Sequence, residues 1–155
     1  MQNRSKTSVT YREKLWPTPW LYIILLLLVP AIMLLLMPIS VVLGAVIAPL
    51  TYVIFALFFT LTSPEIVIEN GEFRAGRAHI PTDFLGEITT LDSDELSVAI
   101  GIEADARAFL LVRGWIHKGV KVTNTDPTDP APYWIVTTRR PQELADALKQ
   151  AQASA

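Results

Sequence analysis

The chain has 155 residues, of which 51% are hydrophobic and 18% are charged, and its formal net charge is −2. It contains no cysteine, which excludes disulfides, thiolate nucleophiles and cysteine-ligated zinc or iron–sulfur sites made by this chain alone. Apolar and charged residues are segregated along the sequence, which indicates a membrane segment joined to a polar domain.

Residues 1–15 are predicted to form a cytosolic N-terminal segment. Four basic residues and one acidic residue give this segment a net charge of +3: Arg4, Lys6, Arg12, Lys14 and Glu13. Because positively charged flanks of membrane spans stay in the cytoplasm, we predict a cytoplasmic N-terminus.

A long uncharged run follows, with no Asp, Glu, Lys, Arg or His in residues 15–64. A helix needs about 20 apolar residues to cross a bilayer, so the run is long enough for two crossings. Pro38 cannot donate to a helix and disfavours helical geometry at the residue before it. We therefore predict a two-helix transmembrane hairpin over residues 16–62, with helices at about 19–37 and 40–62.

Two other interpretations of this run are a buried helical hairpin of a soluble protein and a signal peptide followed by strands. The first would leave about a hundred residues to cover two almost wholly apolar helices. The second requires a short apolar region and a cleavage site, whereas this run is far longer and has no clear site. Because two crossings return the chain to the side of the membrane on which it starts, we predict a multi-pass protein of the cell membrane with both termini cytoplasmic.

Residues 63–155 are predicted to form a cytosolic, β-rich domain with a net charge of −5. "EIVIENGEFRAG" predicts a hairpin that turns at Asn70-Gly71. Further strands are predicted around Ile80, from Leu85 to Leu91, and in "ELSVAIG", "FLLVRGWIHKGVKVTNT" and "PYWIVTTR". Pro141 suits the first turn of a C-terminal helix, predicted at about 141–150. The acidic balance disfavours nucleic acid and anionic lipid surfaces as partners.

Short strands followed by one C-terminal amphipathic helix are the element order of a pleckstrin-homology-like barrel. We therefore predict a transmembrane α-helical hairpin followed by a β-rich α+β domain of this barrel type. A fold of this kind does not determine a function.

Three stretches of the sequence resemble a known family: "RAGRAHIP", "EADARAFLLVRGW" and "DPTDPAPYWIVTTRRPQELADAL". Together they are similar to the actinobacterial membrane proteins grouped as domain of unknown function 3093. The resemblance covers nearly the whole chain and implies a two-span architecture. It implies no activity.

Nine residues are candidates for a binding site: Asp105, Arg107, Arg113, Asp126, Asp129, Tyr133, Trp134, Arg139 and Arg140. Arginine presents a planar fork of donors to a carboxylate or phosphate, and Tyr, Trp and Arg dominate interface hot spots. In the structural alternative, the two Asp-Pro steps form turns, the arginines pair with nearby acids and the aromatic residues pack beside the core.

We predict a non-enzymatic scaffold, accessory subunit or regulatory interaction module that binds another membrane or cytosolic protein. The alternative is a sensor of a small molecule or lipid headgroup that uses Arg107, Arg113, Arg139 and Arg140. The sequence has no Gly-rich phosphate loop, nucleophile elbow or metal-ligand spacing, so we predict no enzyme activity, metal or cofactor. The small residues Gly44, Ala45 and Ala48 suggest a second contact surface within the bilayer.

Overall fold

The computed structural model describes residues 9–154, and the chain divides into two compact units. One unit is Trp16–Ser63, and the other combines the chain before it with the chain after it. Residues 1–8 of the predicted N-terminal segment lie outside the described residues, as does residue 155.

The Trp16–Ser63 unit consists of three helices, which are α1 (Pro19–Leu26), α2 (Leu28–Leu36) and α3 (Val41–Leu61). The helical run is interrupted at Leu27, three residues before Pro30, whose ring nitrogen cannot donate to the carbonyl four residues earlier. The stretches 19–36 and 41–61 are each long and apolar enough to cross a membrane. The two predicted apolar helices are confirmed at this level.

Small residues bring α2 and α3 together. Gly44 and Ala48 are buried, and a Cβ atom on Gly44 would lie 3.5 Å from the Cα atom of Met33 in α2. These two residues therefore pack inside the hairpin, and a partner helix could not use them as a contact surface as predicted. Ala45 is exposed. The hydroxyls of Tyr22 and Thr60 lie 2.7 Å apart and join α1 to α3.

The second unit, which we call the polar unit, contains two four-stranded sheets within its described residues, 9–15 and 64–154. The first has the order β1 (Val9–Lys14), β2 (Glu65–Glu69), β3 (Glu72–Ala75) and β4 (Ala78–Pro81), all antiparallel. The second contains β5 (Leu85–Leu91), β6 (Phe109–Leu111), β7 (Gly119–Asn124) and β8 (Tyr133–Thr137) in the order β5-β7-β8-β6. A short 3-10 turn, Thr82–Phe84, connects them.

The predicted pleckstrin-homology-like barrel is not confirmed. Within residues 9–154 the strands pair as two separate sheets and do not close into a barrel. The order of elements is compatible with a barrel, but β6 pairs parallel to β8, and the first sheet includes β1, which precedes the helical unit in the chain. The β-rich α+β class and the C-terminal helix are confirmed.

The predicted hairpin between β2 and β3 is present. Asn70 and Gly71 have φ values of 52° and 75°, which are the left-handed conformations that a two-residue hairpin turn requires. Phe73 pairs with Ile68 across the hairpin, and both side chains are buried in the core.

Strand β1 is not among the predicted strands, because residues 9–14 belong to the stretch predicted only as a cytosolic N-terminal segment. It pairs antiparallel with β2, with Arg12 opposite Val67 and Lys14 opposite Glu65. The backbone N–H of Leu15 donates to the carbonyl of Pro64 at 3.0 Å. The chain entering the helical unit is therefore hydrogen-bonded to the chain leaving it.

The predicted strand over "ELSVAIG" is wrong, because residues Ser93–Ile100 form helix α4. Asp92 accepts the backbone N–H groups of Asp94 and Glu95, and the Glu95 carboxylate accepts the backbone N–H of Asp92 at 3.0 Å. This reciprocal capping box starts a helix, and Leu96 and Ala99 then share the buried face at three-residue spacing.

Helix α5 (Pro141–Ala153) begins at Pro141 as predicted and extends three residues beyond the predicted end. Four residues form its buried face: Leu144, Ala145, Ala147 and Leu148. This face packs into the main core with Trp134 and Val136 of β8. The opposite face of β8 carries Ile135, which packs with Leu96 and Ala99 of α4 in a second cluster.

Candidate interaction site

Asp105 and Arg107 form a local ion pair in the loop after α4. The Nε and Nη2 atoms of Arg107 lie 3.2 and 3.0 Å from Oδ1 and Oδ2 of Asp105, and the backbone N–H of Arg107 donates to Oδ1 at 2.9 Å. The side-chain hydrogen bond from Arg107 is the main cause that lowers the pKa of Asp105, and the same bond raises the pKa of Arg107. The Nε and Nη2 groups of Arg107 are thus directed at its own loop.

Tyr133 fixes this loop to β8. Its hydroxyl accepts the backbone N–H of Asp105 at 2.8 Å and donates to the carbonyl of Glu103 at 3.2 Å. The ammonium group of Lys121 lies 4.4 Å from the centre of the Tyr133 ring, at cation–π distance. The phenol therefore acts as a clamp between a strand and residues 103–105.

Trp134 does not lie on the surface. It is 4% exposed, and its ring centroid lies 5.9 Å from that of Phe73 and 4.4 Å from that of Phe109. Consecutive residues of a strand point to opposite faces, so the Tyr-Trp pair cannot present both rings to one partner. Trp134 therefore packs in the core and is not part of an exposed contact surface.

Asp126 and Asp129 form turns. Oδ1 of Asp126 accepts the backbone N–H and the hydroxyl of Thr128 at 2.8 and 2.6 Å, and these bonds lower the pKa of Asp126. Asp129 accepts the backbone N–H of Ala131 at 2.9 Å and the side-chain amide of Asn124 at 2.8 Å. These contacts match the turn-forming interpretation of the two Asp-Pro steps.

Glu13 of β1 connects the N-terminal flank to the segment "TTRR". One carboxylate oxygen accepts the hydroxyl of Tyr11 at 2.8 Å and that of Thr138, and the other accepts the backbone N–H of Arg139 at 3.1 Å. Burial, followed by the hydrogen bond to Glu13, raises the pKa of Tyr11. We call Tyr11, Glu13 and Thr138 the Glu13 junction. The sequence does not indicate this junction, since Glu13 and Thr138 are 125 residues apart and no local pattern links them.

Arg140 and Arg113 make different contacts. Nη1 of Arg140 lies 3.3 Å from the Glu143 carboxylate in an exposed ion pair at the start of α5. The guanidinium of Arg113 lies 5.8 Å from the centre of the Trp115 ring and lines a cavity of about 240 Å³ beside α4. Two of the four arginines of the sensor hypothesis are therefore engaged in ion pairs with neighbouring acids.

A larger groove runs along α4, next to the loop that Tyr133 clamps. It has a volume of about 420 Å³, and we call it the α4 groove; it is lined by Leu91, Asp94, Glu95, Val98 and Glu103. Val98 is 43% exposed, and Ile102, adjacent to Glu103 in the chain, is 95% exposed. These residues are not among the predicted site residues, because the sequence pattern predicts a strand over residues 95–101.

Replacing Tyr133 with Phe is expected to destabilise the protein by about 1–2 kcal/mol, because the Asp105 N–H and the Glu103 carbonyl lose their shared hydroxyl partner. Hydrogen exchange measured by mass spectrometry should show faster exchange in residues 103–105. Tyr52→Phe in α3 is the matched control and should leave that exchange unchanged. Equal protection of the loop in wild type and Tyr133→Phe would contradict the clamp.

Comparison with known proteins places the chain in a family. A family model described as "Protein of unknown function (DUF3093)" matches residues 10–148. No curated protein and no solved structure matches the chain. The matched range covers most of the 155 residues, including the helical unit and both sheets. The chain therefore belongs to the DUF3093 family of proteins of unknown function.

Proposed function

We propose that this chain is an integral protein of the cell membrane whose helical hairpin anchors a cytosolic, non-enzymatic interaction module. The apolar stretches support the anchoring role. In the stretch 19–36 no residue is buried, and in the stretch 41–61 only Gly44 and Ala48 are buried, whereas a core helix of a soluble protein is mostly buried. Large apolar surfaces of this kind require a covering phase, and a bilayer supplies it.

The pairing of β1 with β2 supports an even number of crossings. These strands immediately precede and follow the helical unit, and hydrogen-bonded strands must lie on the same side of a bilayer. It also argues against a removable signal sequence, because cleavage would take β1 out of its sheet and Glu13 away from Thr138. The positive N-terminal segment supports a cytoplasmic location for this side.

The α4 groove supports the interaction role and is the observation that carries it. Its apolar residue Val98 and the neighbouring Ile102 are exposed on a helix and loop that are fixed by capping and by Tyr133. Asp105 and Asp126 bond within their own turns, which favours binding through the groove over catalysis or ligand sensing by the residues first singled out.

Co-purification tests this function. The full-length protein, extracted from membranes in mild detergent, is compared with Val98→Ser/Ile102→Ser and with the control Leu110→Ser, which alters an exposed apolar residue of β6. Quantitative mass spectrometry should find a protein recovered in near-stoichiometric amount with wild type and control and lost with the double variant. Recovery of no such protein, or equal recovery with all three, would contradict the proposal.

Replacing Arg139 and Arg140 together by Ala is expected to change the free energy of unfolding by less than about 1 kcal/mol. Their backbone N–H groups, which donate to Glu13 and Thr138, are retained in Ala, and the ion pair between Arg140 and Glu143 is exposed. Thermal melting in detergent measures this change. An unchanged melting temperature with lost partner recovery would assign the two side chains to the contact surface, whereas a loss above about 2 kcal/mol would contradict the exposed placement.

A further inference from the structure

We propose that the α4 groove binds a basic amphipathic helix of a partner protein. This inference rests on the proposed function and adds the chemistry of the partner. It follows from three properties of the groove, which are its apolar lining, its negative charge and its rigidity.

Two apolar residues line the groove, and a third stands exposed beside it. Leu91 of β5 and Val98 of α4 line it, and Ile102 stands almost fully exposed after the end of α4. A volume of about 420 Å³ accommodates a few apolar side chains but not a folded domain. Helices dock into such grooves through apolar residues at three- and four-residue spacing.

The charge around the groove selects a basic partner. Asp94, Glu95 and Glu103 line it, and no Lys, Arg or His is among its lining residues, although Lys118 lines the adjoining pocket that shares Leu91 and Glu95. Lysines or arginines that flank the apolar residues of an incoming helix would therefore meet carboxylates. Such complementarity raises the rate of association and disfavours acidic partners.

The same charge argues for a protein over a bilayer surface. The cytoplasmic leaflet is negatively charged and attracts basic segments, so carboxylates at the groove would be repelled from it. An exposed Ile102 among basic residues would have suited insertion into lipid, but here its neighbour in the chain is Glu103.

The groove is formed before binding. The capping box fixes the start of α4, Leu96 and Ala99 fix its buried face, and the Tyr133 hydroxyl holds the carbonyl of Glu103. At the helix end, a Cβ atom on Gly101 would lie 2.9 Å from the carbonyl oxygen of Ser97, so the chain turns there in a way that glycine permits. A preformed site loses little conformational freedom when a ligand binds.

The test uses the full chain in nanodiscs of zwitterionic phosphatidylcholine. The probe is a fluorescent synthetic peptide of roughly 18 residues, about five helical turns, with leucines on one face and lysines on the other. A paired peptide carries glutamates in place of the lysines, and empty nanodiscs give the binding to lipid alone. We expect saturable binding of the lysine peptide above the empty-disc level, weaker at high salt, and no such binding of the glutamate peptide.

Variants locate the site. Ile102→Ser and Asp94→Asn/Glu103→Gln are each expected to weaken binding of the lysine peptide about tenfold or more, which corresponds to about 1.4 kcal/mol. The control Asp83→Asn/Glu87→Gln removes the same number of charges from exposed positions outside the groove and should bind like wild type. Thermal melting of each variant verifies that the fold is intact.

Three results would overturn the inference: binding no stronger than to empty nanodiscs, equal binding of both peptides, or binding unaffected by the groove variants. A fourth result would also overturn the inference. If the nanodiscs float with phosphatidylserine vesicles and Ile102→Ser abolishes this flotation, the surface binds lipid. If the probe fails while a partner still co-purifies in a manner that depends on Val98 and Ile102, the proposed function stands and this inference alone is wrong. If both fail, the proposed function is wrong too.

Discussion

Replacing Leu144 with Asp is expected to lower the free energy of unfolding by about 4 kcal/mol. Leu144 lies on the buried face of α5, is 0% exposed and packs in the main core. The substitution removes apolar contacts and places a carboxylate where none of its core neighbours can solvate it. Because small domains are stable by about 5–15 kcal/mol, a large part of the stability is lost.

Thermal and chemical unfolding of the full-length protein in detergent, followed by near-ultraviolet circular dichroism, measures this loss. Gln142→Asp is the matched control, since it introduces the same charge on the exposed side of the same helix and near its positive end. The control should melt within a few degrees of wild type. Equal melting of Leu144→Asp and wild type would mean that α5 is not packed through this face.

Replacing Glu13 with Ala is expected to lower the free energy of unfolding by about 3 kcal/mol, although Glu13 lies far from α5 in sequence. The carboxylate accepts hydrogen bonds from two hydroxyls and one backbone N–H, and Thr138 is fully buried. Losing the acceptor leaves the Thr138 hydroxyl without its charged partner, and hydrogen bonds to charged groups contribute about 1.5–3 kcal/mol each.

Arg12→Ala is the control for this experiment, because Arg12 is the exposed neighbour on the same strand. Glu13→Gln, which keeps an acceptor oxygen but loses the charge, should fall between Ala and wild type. Hydrogen exchange should also show that residues 9–14 lose protection in Glu13→Ala. A melting temperature equal to that of Arg12→Ala would contradict the junction.

The sequence predicts an element correctly where the pattern that indicates it lies within a few neighbouring residues. The uncharged run, the Asn70-Gly71 turn and the Pro141 helix start each depend on neighbouring residues, and each corresponds to an observed element. The capping box at Asp92 was also local and could have been recognised from the spacing of Asp92 and Glu95. Apolar residues at Val98 and Ile100 favoured a strand in its place.

The elements that were missed depend on contacts across the chain. Strand β1 pairs with residues beyond the helical unit, and no periodicity in six residues reveals that pairing. For the same reason the two-sheet arrangement, the Tyr133 clamp and the Glu13 junction were not predicted. The nine candidate residues were chosen by chemical type, and the structure places Trp134 in the core and Asp126 and Asp129 in turns.

The α4 groove was missed for a related reason. Its lining comes from β5, α4 and the loop that follows, and its character depends on which helix face is exposed. In the strand predicted over residues 95–101, alternate side chains point to opposite faces, so Val98 and Glu95 would lie on different faces. As a helix, α4 brings these two residues to the same face at three-residue spacing.

Site-specific labelling tests the central claim of a two-crossing hairpin, whose turn between α2 and α3 lies on the opposite side of the membrane from the paired strands β1 and β2 and the chain that follows them. The chain contains no cysteine, so single Ile39→Cys and Gln142→Cys variants each carry one thiol, the first in the turn between α2 and α3 and the second in α5. Both positions are exposed. In intact spheroplasts treated with a membrane-impermeant maleimide, we predict labelling of Ile39→Cys without permeabilisation and of Gln142→Cys only after it. Labelling of both variants from the same side would contradict the two-crossing hairpin.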